Sequence, residues 1–422
     1  MNLINTTPFE FFSQTGEVAP PARALTLILK ATFKLGEDRV WRPAPKQHKA
    51  ERDKLFMDDL GRSLAWPDDY ALWKPNFDLI VIGSFHQPAG EPAPEGRAKI
   101  KLGPIEKELV FRGPRILTMA DNGQWSISKA QPIVDLPLRW EYSFGGLADP
   151  RNPMGLGLDA LPGEDHPKRI PMPQIEYPDE SFHQPGDTPR PANFAPVPQR
   201  FAERFSKLGT RDQRWATFRA PLPPQDYDPS VNNAAPNDQQ AKGYPRGNET
   251  LTLINLHPRL PNLTTQLPGL RIRAGILRKL PLGMMTEEVR MVLDTVVILP
   301  EDDELVLLWR GVTPLQGQTA AEVLMAEVET ESLDVDRAPF EGLSQRLWDA
   351  YRKTVPDDKP KPPPDISGDM AEMRKTLEKV DLPPDLRSIV EKESDPQTIF
   401  NALEKYVNDT AAALQKKYPP AV

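Results

Sequence analysis

The sequence has no cysteine, only five histidines and no long apolar run. The first absence excludes disulfides, thiol nucleophiles, thiolate zinc sites and iron–sulfur clusters together. The histidines, at 48, 86, 166, 183 and 257, are scattered. They form neither HxH nor HExxH and read as surface or loop residues rather than metal ligands. The longest apolar stretches, such as LTLIL and VVIL, fall far short of the ~20 residues that span a bilayer. The opening MNLINTTPFEFF has no basic n-region and no apolar h-region, so it does not read as a signal peptide. Fifty-two Lys and Arg against 60 Asp and Glu give a net charge of −8, a poor balance for a nucleic-acid binder. The expectation is a soluble, cytoplasmic, bacterial-type protein with no metal, no cofactor, no nucleic-acid partner and no membrane insertion.

Proline, by contrast, is abundant. There are 49 in 422 residues, roughly twice the usual share of about 5 %. Such an excess can signal disorder, but 39 % hydrophobic and 8 % aromatic residues are enough to bury a sizeable core. The length suggests two or three domains.

Period-two patterning dominates the first third. In RALTLILKATFKL, residues 25, 27, 29, 31, 33 and 35 are apolar, which puts one face of a strand on a core. Gly36-Glu37-Asp38 reads as a turn, with Val40-Trp41 returning as a partner. Residues 44–70 are polar without a clear period. Strands are expected at 77–85, 98–102, 107–111, 125–127 and 136–144, with Gly103-Pro104 turning a hairpin. Eighteen prolines fall between Pro150 and Gly247. One short helix is expected there, Pro198–Leu208, with Pro198 in its first turn, Phe201 and Phe205 on one face and Gly209 at its end. The rest reads as long loops, ordered because Trp140, Tyr142, Phe144, Trp215 and Phe218 are too aromatic for a disordered segment. Strands resume at 250–256, 270–277, 289–299 and 304–309, half of a sandwich or barrel, with Glu301-Asp302-Asp303 turning the last hairpin.

The C-terminal quarter changes period to 3.6. Phe340, Leu343, Leu347 and Tyr351 share a helical face. Val355–Gly368 is a Pro-rich charged spacer. Met370, Met373, Leu377 and Val380 line a helix, and Asp395-Pro396 starts a longer stripe from Ile399 to Leu414. The expected organisation is a mainly β fold over 1–315, of antiparallel sandwich- or barrel-like sheets with the Pro-rich loop region 150–247. A helical appendage follows at 316–354, then the spacer 355–368 and a small helical module at 369–422.

No catalytic signature is complete. GxSxG and the phosphate-cradling GxxxxGK[ST] are missing. Gly155, Gly157 and Ala160 match GxGxxA, but they follow Asn152-Pro153 and precede Leu161-Pro162-Gly163. A tight turn suits that context better than the strand–helix junction a dinucleotide needs. Asp226 and Asp228 in PPQDYDP could hold calcium or act as an acid–base pair. Capping turns beside proline is the commoner role for such residues. Glu141 and Asn152-Pro153 are weighed in the same way. In WEYSFGG, the aromatics beside Gly145 and Gly146 suit either a recognition surface or a strand ending in a turn, with Trp140 in the core.

The loop motifs taken in order resemble a bacterial family of type VI secretion accessory proteins. That family was long catalogued as a domain of unknown function, and its genes lie beside those for VgrG spikes and PAAR-tipped effectors. The matching pieces are NTTPF (5–9), KATF (30–33), Lys74-Pro75 with Asp78 to Gly83, and Pro88–Pro92. They continue with KELVFRGPR (107–115), PLRWEYSFGG (137–146), NPMGLG (152–157), PQIEYP (173–178) and Phe194–Pro198. GTRDQRW (209–215), PLPPQDYD (221–228) and AAPNDQ (234–239), followed by Gly247 and Glu249, complete the set. Together they cover residues 1–310. Arg211, where an aromatic is common, and Ser84-Phe85-His86, in place of small residues, depart from the pattern. The resemblance implies a non-enzymatic adaptor or chaperone that stabilises an effector and helps load it, through its PAAR region, onto the VgrG spike. No catalytic residues come with it. The candidate partner-binding or structural positions are Phe9, Phe144, Gly145, Gly146, Asn152, Pro153, Gly155, Trp215, Pro223, Asp226 and Asp228. The competing readings are a carboxylate-dependent hydrolase using Asp226, Asp228 and Glu141, and a structural component of the secretion particle.

Overall fold

A computed structural model describes residues 1–19, 22–157, 169–280, 283–315, 320–337, 339–354 and 383–392, with isolated positions 402 and 405. The spacer 355–368, the stripe at 370–380, the Asp395-Pro396 helix start and the 399–414 stripe lie outside the described residues, as do Ala160 and His166. The chain divides into two compact units, Met1–Trp348 and Asp349–Val422. In the second, Pro384–Lys392 is helical.

The fold is mainly β. A seven-stranded sheet is built on the 14-residue strand Ala22–Leu35. Glu304–Pro314 pairs along one side of it, and Glu10–Ala19, then Trp41–Pro43, along the other. Val292–Leu299, Phe77–Val81 and Gln240–Ala241 extend the sheet, with Phe77–Val81 parallel to Val292–Leu299 and antiparallel to Gln240–Ala241. A five-stranded antiparallel sheet holds the Glu95–Leu102 and Ile105–Arg112 hairpin, with Ile175–Glu176, Thr250–Ile254 and Asn262–Gln266. A four-stranded sheet joins Asn2–Asn5, Val323–Ser332, Leu270–Leu280 and Gly283–Arg290. Leu27 and Leu29 of the first sheet, Ile100 and Leu253 of the second, and Ile276 and Val328 of the third belong to one buried cluster. The three sheets therefore close on a common apolar core, as alternation demands of two-faced strands.

The second face of the large sheet is buried too. Thr26, Ile28, Lys30 and Thr32, at the even positions of Ala22–Leu35, are each at most 1 % exposed. The polar segment without a period supplies part of the cover. Trp66 packs with Ala234, Ala235, Ile80, Val297 and Val306. Beneath this cover, three ion pairs are sealed from solvent. Lys30 Nζ lies 2.7 Å from Asp69, Lys74 Nζ lies 2.8 Å from Asp78, and Arg310 pairs with Asp294. Arg310 also donates to the carbonyls of Ala71 and Asp69 at 2.9 and 2.7 Å. Burial holds the Lys30 ammonium below its ordinary pKa, against the pull of Asp69. Each cation ties a covering loop to a strand.

Several expectations need correction. The strand expected at 77–85 is two, Phe77–Val81 and Ser84–His86. The strand expected at 289–299 is the end of one strand and all of the next, Gly283–Arg290 and Val292–Leu299. Residues 136–144 form a short strand, a 3-10 turn at Trp140–Tyr142 and the bridge at Phe144–Gly145. The expected helical appendage from 316 contains a ten-residue strand, Val323–Ser332, so β structure runs past residue 315. Its helix starts at Phe340. There Leu343 and Leu347 are buried, and a Cβ on Gly275 would come within 3.1 Å of both. Arg346 pairs with Glu327 and Glu329 of the strand beneath.

Candidate functional site

The sequence candidates separate into two groups, one buried and one exposed. WEYSFGG and NPMGLG form a single buried unit, in which Phe144–Gly145 pairs in parallel with Leu156–Gly157. Asn152 is fully buried at its centre and donates from Nδ2 to the carbonyls of Trp140 and Phe144, at 2.8 and 2.9 Å. Gly145 has φ of +152°, and a Cβ there would lie 2.1 Å from the Asn152 carbonyl oxygen. Only glycine fits. Phe144 packs on Phe182 at 5.5 Å and is 1 % exposed, which makes it core rather than surface. Gly146 is buried, and Pro153 and Gly155 are half-buried beside it. Phe9 is buried against Phe33, with ring centroids 5.4 Å apart. Glu141 accepts from the backbone N–H of Ser63 at 3.2 Å and from its hydroxyl. Trp140 is buried, its indole donating to the Pro196 carbonyl at 2.9 Å and its ring edge-on to Phe201.

Trp215, Pro223, Asp226 and Asp228 lie instead on a surface lobe built from residues 198–232. The helix expected over Pro198–Leu208 shrinks to Ala202–Phe205 and a 3-10 turn at Ser206–Leu208. Phe201 and Phe205 do not share a buried face, since Phe201 enters the core and Phe205 is 62 % exposed. Arg204 is buried between them and donates to the Val231 and Val197 carbonyls, fastening both ends of the lobe. Gly209 has φ of +77°, and a Cβ there would fall within 3.0 Å of Asp226, Pro224 and Tyr227. This close approach lets Asp226 accept from the Thr210 N–H at 2.9 Å and from its hydroxyl at 2.7 Å. Those hydrogen bonds hold the Asp226 carboxyl below its ordinary pKa. Asp228 caps the next turn, accepting from the Ser230 N–H at 2.8 Å. Both aspartates thus serve backbone groups, the turn role weighed for them above.

A helix inside a stretch that reads as loop in the sequence, Gln213–Phe218, sits on the outside of the lobe. Asp212 accepts from the Trp215 N–H at 2.8 Å, the N-cap geometry. Asp212 was the available signal for this helix. Trp215 is half-buried and its indole donates to the Leu222 carbonyl at 2.8 Å. Arg219 donates to the Pro223 carbonyl and pairs with the buried Glu17 of the large sheet. The bracing leaves Phe218 83 % and Leu222 36 % exposed. Behind the lobe is a polar cavity of about 240 Å³, lined by Arg52, Asp53, Asp68, Gln199, Arg204 and Asn232. Its cations and carboxylates balance, and Arg52 and Asp68 pair across 3.1 Å. Burial raises the Asp53 carboxyl, against the nearby Arg204 guanidinium.

Among the described residues no three His, Asp or Glu side chains are grouped to hold a metal, and no helix is long and apolar enough to cross a membrane. No curated protein and no solved structure matches the chain. One family model matches residues 21–310, a span that takes in the buried WEYSFGG–NPMGLG unit and the whole lobe. By that match the chain belongs to the family described as an uncharacterized protein conserved in bacteria (DUF2169).

Proposed function

We propose that this protein is a cytoplasmic adaptor or chaperone, which binds and stabilises a type VI secretion effector through its PAAR region and assists its loading onto the VgrG spike. The motif resemblance over residues 1–310 motivates the reading. The observation that carries it is the lobe, where Phe205, Phe218 and Leu222 stand exposed on short helices and a loop whose turns are capped and tied to the sheet. Large exposed apolar side chains held this firmly suit partner recognition. Rigid loops also lose little entropy on binding. The test is co-expression with a PAAR-bearing effector and a VgrG protein, followed by affinity purification and size exclusion. A complex in which the effector stays soluble, and which also retains VgrG, supports the reading. An effector equally soluble and unbound in its presence refutes it.

A further inference from the structure

The charge of the lobe runs against that of the chain. Between Phe205 and Leu222 lie four cations, Lys207, Arg211, Arg214 and Arg219, and one carboxylate, Asp212, in a protein of net charge −8. Asp212 is occupied in capping the Trp215 helix, and Arg219 is paired with Glu17. No carboxylate among the described residues lies within ion-pairing distance of Lys207, Arg211 or Arg214. Arg211 sits over the Trp215 ring, 5.5 Å from its centroid. Arg211 and Arg214 are exposed, and Lys207 is half-buried with Glu203 nearby. Along the same stretch Phe205, Phe218 and Leu222 stand exposed, Phe218 at 83 %.

We propose that the lobe docks an acidic protein segment carrying apolar side chains, with its carboxylates meeting Lys207, Arg211 and Arg214 and its apolar residues covering Phe218, Leu222 and Phe205. This rests on the adaptor reading and specifies what the cargo presents. Aromatics among cations can also stack nucleic-acid bases. Here three cations on a mildly acidic chain of net charge −8 give too little positive field for a phosphate backbone, whereas a carboxylate-bearing peptide needs only local complementarity.

The test uses fluorescein-labelled synthetic amphipathic peptides, one with glutamates around a Leu/Phe face and one with lysines in their place, beside a single-stranded DNA of similar length. Fluorescence anisotropy is read against the full chain and two variants, Lys207→Glu/Arg211→Glu/Arg214→Glu and Phe218→Ser, each checked for native tryptophan fluorescence. The acidic peptide is expected to bind saturably. Its affinity should fall about tenfold or more in each variant, and with salt raised from about 50 to about 500 mM. Equal binding of the basic peptide, unchanged affinity in the charge-reversed variant, no binding of the acidic peptide, or tighter binding of DNA overturns the proposal. A dimer of the full chain that the charge reversal dissociates assigns the surface to a second copy and likewise overturns it. Failure of the adaptor reading is separable. A PAAR-bearing effector that co-purifies equally with the wild type and the charge-reversed variant leaves the adaptor standing and removes the lobe from its mechanism.

Discussion

Lys107 lies on the inward face of Ile105–Arg112, in line with Ile105, Leu109 and Phe111. Its ammonium donates to the Asn193 carbonyl and Asp238 at 2.7 Å each, and to Gln239 Oε1 at 2.9 Å. Burial lowers its pKa to about 8, against the pull of Asp238. Replacing it by Met fills the space without a donor. Two buried acceptors, Asn193 O and Gln239 Oε1, lose their partner, a loss of about 1–3 kcal/mol for each such group. Asp238 fares better, because its side chain is 34 % exposed and keeps the Tyr177 hydroxyl at 2.7 Å. Relief of the desolvated charge offsets part of the loss, so Lys107→Met should cost about 2–3 kcal/mol at pH 7, near the low end for a broken buried pair. The pH dependence has a definite sign. The folded pKa lies below the unfolded value of 10.5, so between pH 8 and 10 the unfolded chain holds more protons and wild-type stability rises with pH. The Met variant lacks this rise, and the gap between the two proteins should widen over that range. Urea unfolding followed by tryptophan fluorescence measures this within Met1–Trp348, the unit that contains all eight tryptophans. A cost well under about 1 kcal/mol, or a gap that stays flat from pH 8 to 10, would refute the reasoning.

Three further outcomes follow from the buried contacts. Gly145→Ala places a methyl 2.1 Å from the Asn152 carbonyl at a φ of +152°. Backbone strain alone costs about 1–3 kcal/mol, so a clearly lowered thermal midpoint or loss of soluble protein is expected. Asn152→Ala strips the donors from the Trp140 and Phe144 carbonyls and should cost about 2–4 kcal/mol in urea unfolding. His257 is buried, with Nε2 2.9 Å from Asp303 and Nδ1 accepting from the N–H groups of Arg259 and Leu260. Burial lowers its pKa, opposed by Asp303. The neutral ring is the one the fold favours, so its stabilisation is complete above pH 6.5 and is lost as pH falls from there toward the folded pKa. His257→Gln should flatten the decline in thermal midpoint measured between pH 7 and 5, and an unchanged decline would show that other groups cause it.

Strands were legible in the sequence where one face is apolar and the turn is explicit. Ala22–Leu35 and the Gly103-Pro104 hairpin stand where period-two reading puts them. The same reading failed where polar side chains are buried. Lys30 and Lys107 look solvent-facing in sequence, yet each is sealed in by a carboxylate from a distant loop, Asp69 or Asp238. Nothing local marks that pairing. Asn262–Gln266 carries Leu263 and Thr265 inward in an otherwise polar stretch, and Gly283–Arg290 is too mixed to separate from the next strand. The candidate site was half legible. Trp215, Pro223, Asp226 and Asp228 mark the lobe, but Phe218, its most exposed aromatic, carries in sequence no signal beyond order. WEYSFGG suits either a recognition surface or a strand ending in a turn, and its Phe144 and Gly145 close a buried unit around Asn152.

The proline excess and the buried ion pairs are two parts of one construction. Proline restricts φ and shrinks the unfolded ensemble, but it donates no backbone hydrogen bond, so a Pro-rich loop cannot hold itself down through a ladder. Here side chains anchor such loops. Arg204 reaches the carbonyls at both ends of the lobe, and Arg219 reaches back to Glu17. Lys74 and Asp78 hold the Asn233–Ala234 turn, where Asp78 accepts from the Asn233 side chain and the Ala234 N–H at 2.9 Å each. Each link, made by a charged group, contributes about 1.5–3 kcal/mol, and every one depends on the sheet beneath being intact. The loops should therefore unfold with the sheet rather than before it. A surface fixed in this way can keep Phe218 and Leu222 exposed without collapsing onto them, which is the property a recognition surface needs before its partner arrives.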